Sequence, residues 1–151
     1  MDMGERRRST GSFDARRTTG SDEVLDRLFV YATLRQGQSA RSLIAPQIAK
    51  SVKASTTGTI YVFPMGYAGF LEADEPMRVV GELLWLTDLA ATLGLLDAYE
   101  GPDFVRVLRQ VTLETGELLW SWIYALTDPE AIKHGRLIEH GDWVRYWAEQ
   151  A

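Results

Sequence analysis

The chain contains no cysteine. Disulfides, thiolate nucleophiles and cysteine-based zinc sites are therefore excluded, and the expected setting is a reducing, cytoplasmic one. Histidine is nearly as scarce. His134 and His140 are the only two, their spacing fits no strong metal motif, and no metal or other cofactor is expected. No run of eighteen apolar residues occurs, so neither a membrane span nor a membrane partner is expected. Basic residues are outnumbered: 16 Lys and Arg against 21 Asp and Glu leave a net charge of −5. That balance argues against nucleic-acid binding by phosphate neutralisation. Gly66 and Gly69 alone do not make a glycine-rich phosphate loop. No internal repeat or heptad is visible.

What remains is an ordinary globular composition. A length of 151 residues with 46% apolar content suits one domain with a real core. Residues 1–27 are of different material, rich in Arg, Ser, Thr, Gly and Asp, with Phe13, Val24 and Leu25 almost their only large apolar side chains. They cannot bury enough to offset ordering entropy and are expected to form a disordered arm. Arg6-Arg7-Arg8 makes no targeting signal, because no apolar segment follows it. The folded domain is expected over residues 28–151.

Its organising stretch is Leu28 to Gly37. Leu28-Phe29-Val30-Tyr31 reads as a strand buried on both faces. Thr33, Arg35, Gln36 and Gly37 then end the strand in a polar loop. Such a loop is either an ordinary turn or a binding site whose backbone N–H groups are aimed by the strand. Ser39 is expected to cap a short helix that stops near Pro46. Ile48–Ser55 is mixed, Thr57–Phe63 a clearer strand, and Pro64–Gly69 a loop. Arg78–Leu86 is a strand, with Glu82 among apolar neighbours on one face. Asp88 is an N-cap signal for a helix from about Leu89 to Glu100, stopped at Gly101-Pro102. Phe104–Leu113 and Leu118–Leu126 form a hairpin around Thr115-Gly116. Asp128-Pro129 starts a further helical segment, and a terminal helix runs from about Asp142.

Glu100 is the most informative side chain. At 100° per residue, Leu89, Leu93, Leu96 and Glu100 fall in one stripe, so Glu100 continues the buried face. It also ends the helix, where the macrodipole disfavours an anion. Both effects raise its pKa and suit a proton-transfer role. The alternative is a frayed last turn with Glu100 in water. Asp97, one turn back, reads as a flank or as a group that supports the site from behind rather than as a catalyst. Glu82 is either a rival base or a strand carboxylate satisfied by backbone or by Arg106. Arg106 and Arg35 each read as an ion-pair partner or as a ligand for a substrate carboxylate.

Tyr31-Ala32-Thr33-Leu34-Arg35 with Gly37, Gly81-Glu82-Leu83, Leu96-Asp97-Ala98-Tyr99-Glu100-Gly101 and Phe104-Val105-Arg106 occur in that order. Together they resemble the signatures of the γ-glutamylcyclotransferase-like family, which includes γ-glutamylamine cyclotransferases and AIG2-like proteins. The resemblance spans roughly Leu28 to Leu126, and more loosely Gly141-Asp142-Trp143. It implies an α+β fold, a mixed β-sheet curled into a small barrel with a few short helices. It implies that a γ-glutamyl amine or amino acid is converted to 5-oxoproline and a free amine, with a small-molecule substrate and no cofactor. Glu100 matches the family's general acid/base. Tyr31, Ala32, Thr33, Leu34 and Arg35 match the substrate-binding loop, and Tyr124 a position near the substrate, although a strand Tyr on an apolar face is also a core residue. Glu82 and Arg106 would support the site. Ala32 stands where the family has Gly. That departure favours the alternative, a non-catalytic small-molecule-binding or protein-interaction domain on the same fold.

Overall fold

The computed structural model describes residues 26–73 and 77–150. The arm expected over residues 1–27 lies outside the described residues except at its end, where Arg27 already belongs to the first strand and is 7% exposed. The elements are β1 (Arg27–Val30), β2 (Ile48–Thr57), β3 (Thr59–Val62), β4 (Ala68–Leu71), β5 (Arg78–Leu86), α1 (Leu89–Glu100), β6 (Phe104–Leu113), β7 (Leu118–Leu126), β8 (Arg136–Leu137) and α2 (Trp143–Gln150). Strands β1-β5-β2-β6-β7 close into a barrel. Four of its pairings are antiparallel, and the closing β1–β7 pair is parallel. A second sheet, β4-β3-β8, lies beside it. The fold is thus the expected α+β one. Among the described residues no helix is long and apolar enough to cross a membrane.

Alternation along the strands builds two cores. Phe29 and Tyr31 point into the barrel with Val79, Leu83, Val111 and Ile123. Leu28 and Val30 point outward and pack with Leu84, Leu86, Leu96 and Tyr124. The first strand is therefore buried on both faces, which its unbroken apolar run requires. Gly81 lies where β1 crosses closest to β5: a Cβ there would sit 2.1 Å from the Val30 carbonyl oxygen. Only glycine permits that approach. On β7 the inward residues are Ser121, Ile123 and Ala125, while Leu118 and Trp120 on the other face are exposed.

Several local expectations change. Ser39 caps nothing; two successive 3-10 turns, Arg41–Leu43 and Ala45–Gln47, replace the short helix, the second with Pro46 inside it. The mixed stretch is a full strand, β2, held between β5 and β6. A turn at Gly58 separates it from β3, and the loop expected up to Gly69 gives way to β4 at Ala68.

Candidate functional site

The loop after β1 is shaped from two sides. Tyr31 is buried and donates its hydroxyl to the Tyr124 carbonyl at 2.8 Å, pinning the strand end to β7. Ala32 to Arg35 then turn back, with the Arg35 N–H donating to the Ala32 carbonyl at 3.1 Å. The Ala40 N–H reaches the Thr33 carbonyl at 2.9 Å. The N–H groups of Ala32, Thr33 and Leu34 donate no hydrogen bond among the described residues. Three backbone donors in succession therefore remain for a ligand.

Beneath the loop sits Glu82, on the outward face of β5. Its two oxygens accept the Gln36 N–H at 3.1 Å each, and one accepts Arg41 Nη1 at 2.6 Å. Arg35 Nε lies 3.8 Å from the other, while Arg35 Nη1 donates to Asp142 Oδ1 at 2.8 Å. Asp142 also accepts the N–H groups of Val144 and Arg145 and so begins α2. Burial pushes the Asp142 carboxyl up, but the Arg35 guanidinium and these N–H donors outweigh it and hold the group below the usual range. Two arginines and two carboxylates thus lock the loop to β5 and to α2.

Glu100 has the opposite environment. Asp88 opens α1 by accepting the Ala91 N–H at 3.1 Å, and Leu93 and Leu96 are buried along the helix. Gly101 closes it at φ 77°, a conformation that glycine adopts without strain, and donates its N–H to the Asp97 carbonyl. The last turn does not fray, and Glu100 stays on the inward side. Its carboxyl forms no hydrogen bond or ion pair among the described residues. Burial raises its pKa to about 7. Burial pushes the phenol of Tyr31 well up, and the Glu100 charge adds to the rise. Tyr124 is raised by burial first and then by its bond to Asp97. Both phenols therefore stay protonated and act as donors.

Asp97 links the helix to the hairpin. Tyr124 donates its hydroxyl to Asp97 Oδ1 at 2.6 Å, and Arg106 grips both Asp97 oxygens at 2.8 and 3.0 Å. The Arg106 guanidinium lies over the Trp122 ring, 5.2 Å from its centroid. The expected Arg106–Glu82 pair is absent, because β2 stands between β5 and β6 in the barrel. Arg106 is the partner of Asp97, and the partners of Glu82 are Arg41, Arg35 and the Gln36 N–H.

A pocket of about 420 Å³ opens between these parts. Tyr31, Ala32, Thr33, Leu34, Glu100 and Tyr124 all line it, so six of the expected site residues meet around one cavity. Arg35, Glu82 and Arg106 are not among its lining residues. Arg35 faces Asp142 instead of a ligand, and no Lys, Arg or His lines the pocket among the described residues. Two residues that hold the loop, Arg41 and Asp142, had no role in the sequence reading, and the Gly141-Asp142-Trp143 match was the only signal for either. Asp97, read there as a flank or a supporting group, orients Tyr124. No three His, Asp or Glu side chains among the described residues are placed to share a metal ion.

Residues 28–145 match the family model described as Gamma-glutamyl cyclotransferase, AIG2-like. No curated protein sequence matches. Among solved structures, YkqA from Bacillus subtilis superposes with a TM-score of 0.66 at 22% identity, over 82% of this chain and 41% of that one. The chain thus spans less than half of the Bacillus protein. An AIG2-like protein from Mus musculus gives 0.62 at 21% identity, over 78% of this chain and 86% of that one. The uropathogenic Escherichia coli protein c4763 gives 0.59 at 17%, over 81% and 94%. At such identities these likenesses are ones of fold.

Proposed function

The chain belongs to the gamma-glutamyl cyclotransferase, AIG2-like family, and from that premise we propose that it is a cofactor-independent cyclotransferase, turning a γ-glutamyl amine or γ-glutamyl amino acid into 5-oxoproline and a free amine. The observation that carries this reading is the unpaired Glu100 carboxyl, raised to about 7, in the wall of a pocket also lined by Ala32, Thr33 and Leu34, whose N–H groups donate to no described residue. A base with a pKa near the working pH is half ionised and can both take and return a proton.

The reaction needs little else. Nucleophile and electrophile belong to one molecule, so folding the substrate in the pocket supplies most of the proximity. Glu100 takes a proton from the α-ammonium, and the freed nitrogen attacks the γ-carbonyl carbon. The carbonyl oxygen gains the charge and is held by N–H groups of Ala32, Thr33 and Leu34. Glu100 passes its proton to the departing nitrogen, the carboxylate so freed takes the second proton from the ring nitrogen, the old C–N bond breaks, and the departing amine takes up that second proton. Two protons leave the α-nitrogen and two reach the amine that departs, so none is released overall. Tyr31 and Tyr124 shape the wall beside Glu100, and Asp97 with Arg106 fixes Tyr124.

Ala32 favours a second reading, a pocket that binds a small molecule without turning it over. Incubating the purified protein with a panel of γ-glutamyl amines and amino acids, and measuring 5-oxoproline, separates the two. Formation that depends on Glu100 is the expected result. A protein that binds these compounds without forming 5-oxoproline is a binding domain.

A further inference from the structure

The pocket has a wall that the reaction does not use. Its outer rim carries Met65, Tyr67 and Tyr99, which are 88%, 43% and 48% exposed. These are three large side chains left in water around one opening. The rim is built rather than loose. Tyr67 stacks on Phe63 with ring centroids 4.8 Å apart and planes 12° apart. The Phe63 N–H donates to the Tyr67 carbonyl at 2.9 Å, and the Gly66 N–H to the Phe63 carbonyl at 2.7 Å. Asp103, just past the end of α1, also lines the opening, and its side chain forms no hydrogen bond or ion pair among the described residues.

Charge decides what such a rim accepts. Glu100 and Asp103 are the only carboxylic acids among the described lining residues, and no Lys, Arg or His stands with them. The nearby arginines are occupied, Arg106 by Asp97 and Arg35 by Asp142. A leaving group with a carboxylate would find no cation and would face two acids. An ammonium at the end of an alkyl stem would find the reverse: aromatic faces for the cation, Met65 and Tyr rings for the stem, and Asp103 for the charge.

Resting on the cyclotransferase reading, we infer that the amine released by this protein is an alkyl diamine or polyamine, which carries a second ammonium and no carboxylate. The rim formed by Met65, Tyr67, Tyr99 and Asp103 is the subsite for that far end.

Three substrates of one chain length isolate each group: γ-glutamyl-1,5-diaminopentane, γ-glutamyl-pentylamine, which lacks the far ammonium, and γ-glutamyl-ε-lysine, which adds one carboxylate. The diamine compound should have the highest kcat/KM, by about threefold or more over each of the others, the scale of exposed charge contacts. The preference over pentylamine should shrink in 0.5 M salt and in Asp103→Asn, since screening and loss of charge act on the same contact. Equal or better turnover of the lysine compound overturns the inference, as does a diamine preference unmoved by both salt and Asp103→Asn. Either result leaves the cyclotransferase reading standing. No 5-oxoproline from any of the three, or from the wider panel, overturns both.

Discussion

Glu82 binds the loop after β1, Glu100 shares a pocket with it, and the two have opposite surroundings. Glu82 is ringed by two arginines and a backbone N–H, with one contact as short as 2.6 Å. Glu100 has no partner among the described residues. Paired charge holds a structure in place, because removing either partner leaves the other buried and uncompensated. An unpaired carboxyl stabilises nothing and is free to exchange its proton. The loop draws on both: ion pairs fix it, and the N–H groups of Ala32, Thr33 and Leu34 donate to no described residue.

The sharpest break of this contrast is Glu100→Gln. The variant keeps the size and polarity of the side chain and loses the proton carrier. Activity should fall by about 10² or more, while the melting temperature holds or rises. The sign follows from the raised pKa. Between its ordinary value of 4.5 and about 7, folded Glu100 binds the proton more tightly than the unfolded chain does. Wild-type stability therefore declines as pH rises through that window and levels off above it. The Gln variant should lose this slope and be more stable above pH 7 by up to about 3 kcal/mol. In the wild type, kcat/KM should rise with a limb near pH 7. A variant with near-normal turnover places the acid/base elsewhere.

Glu82→Gln tests the other side. It leaves Arg35 and Arg41 facing a neutral amide, and unfolding in denaturant should show a loss of about 2–4 kcal/mol. Because the loop is then unmoored, KM should rise as well. Abolished turnover with unchanged stability would give Glu82 the role assigned here to Glu100. Arg106→Gln should cost less, about 1 kcal/mol, since its pair with Asp97 is half exposed. Its stability effect should vanish in an Asp97→Asn background and persist in Glu82→Gln, a double-mutant cycle that reads the pairing directly.

These pairings were the least legible part of the chain. The strands β5, β6 and β7 and the helix α1 have the bounds their residues suggest, because each carries strong local punctuation: apolar alternation, the Asp88 cap, the Gly101-Pro102 stop and the Thr115-Gly116 turn. Glu100 was legible only in part: helical period allowed the inward face or a frayed last turn, and the family resemblance favoured the first. β2 was not. Ile48-Ala49-Lys50-Ser51-Val52-Lys53 has little apolar signal, and its strand state comes from pairing with β5 and β6. The order of strands in the barrel is nonlocal too. It puts β2 between Glu82 and Arg106 and brings Arg41, 41 residues away, to Glu82. Spacing along the chain carries no trace of either fact.

The smallest expected effect concerns Ala32, where the family has Gly. Ala32 is the first residue of the turn that the Arg35 N–H closes onto its carbonyl. In a β-turn the special backbone angles fall on the second and third residues, here Thr33 and Leu34, and the first has no need of glycine. Ala32 lines the pocket and packs against the barrel core, so its methyl is a wall atom. Ala32→Gly should therefore cost about 0.4–1 kcal/mol through the added freedom of the unfolded chain. It should also widen the pocket by one methyl, with a change in KM rather than in kcat. A rise in melting temperature together with a large rise in kcat would show the opposite, that alanine strains this turn. The loop's N–H groups would then be misaimed in the natural chain, and the binding-domain reading would gain what the cyclotransferase reading lost.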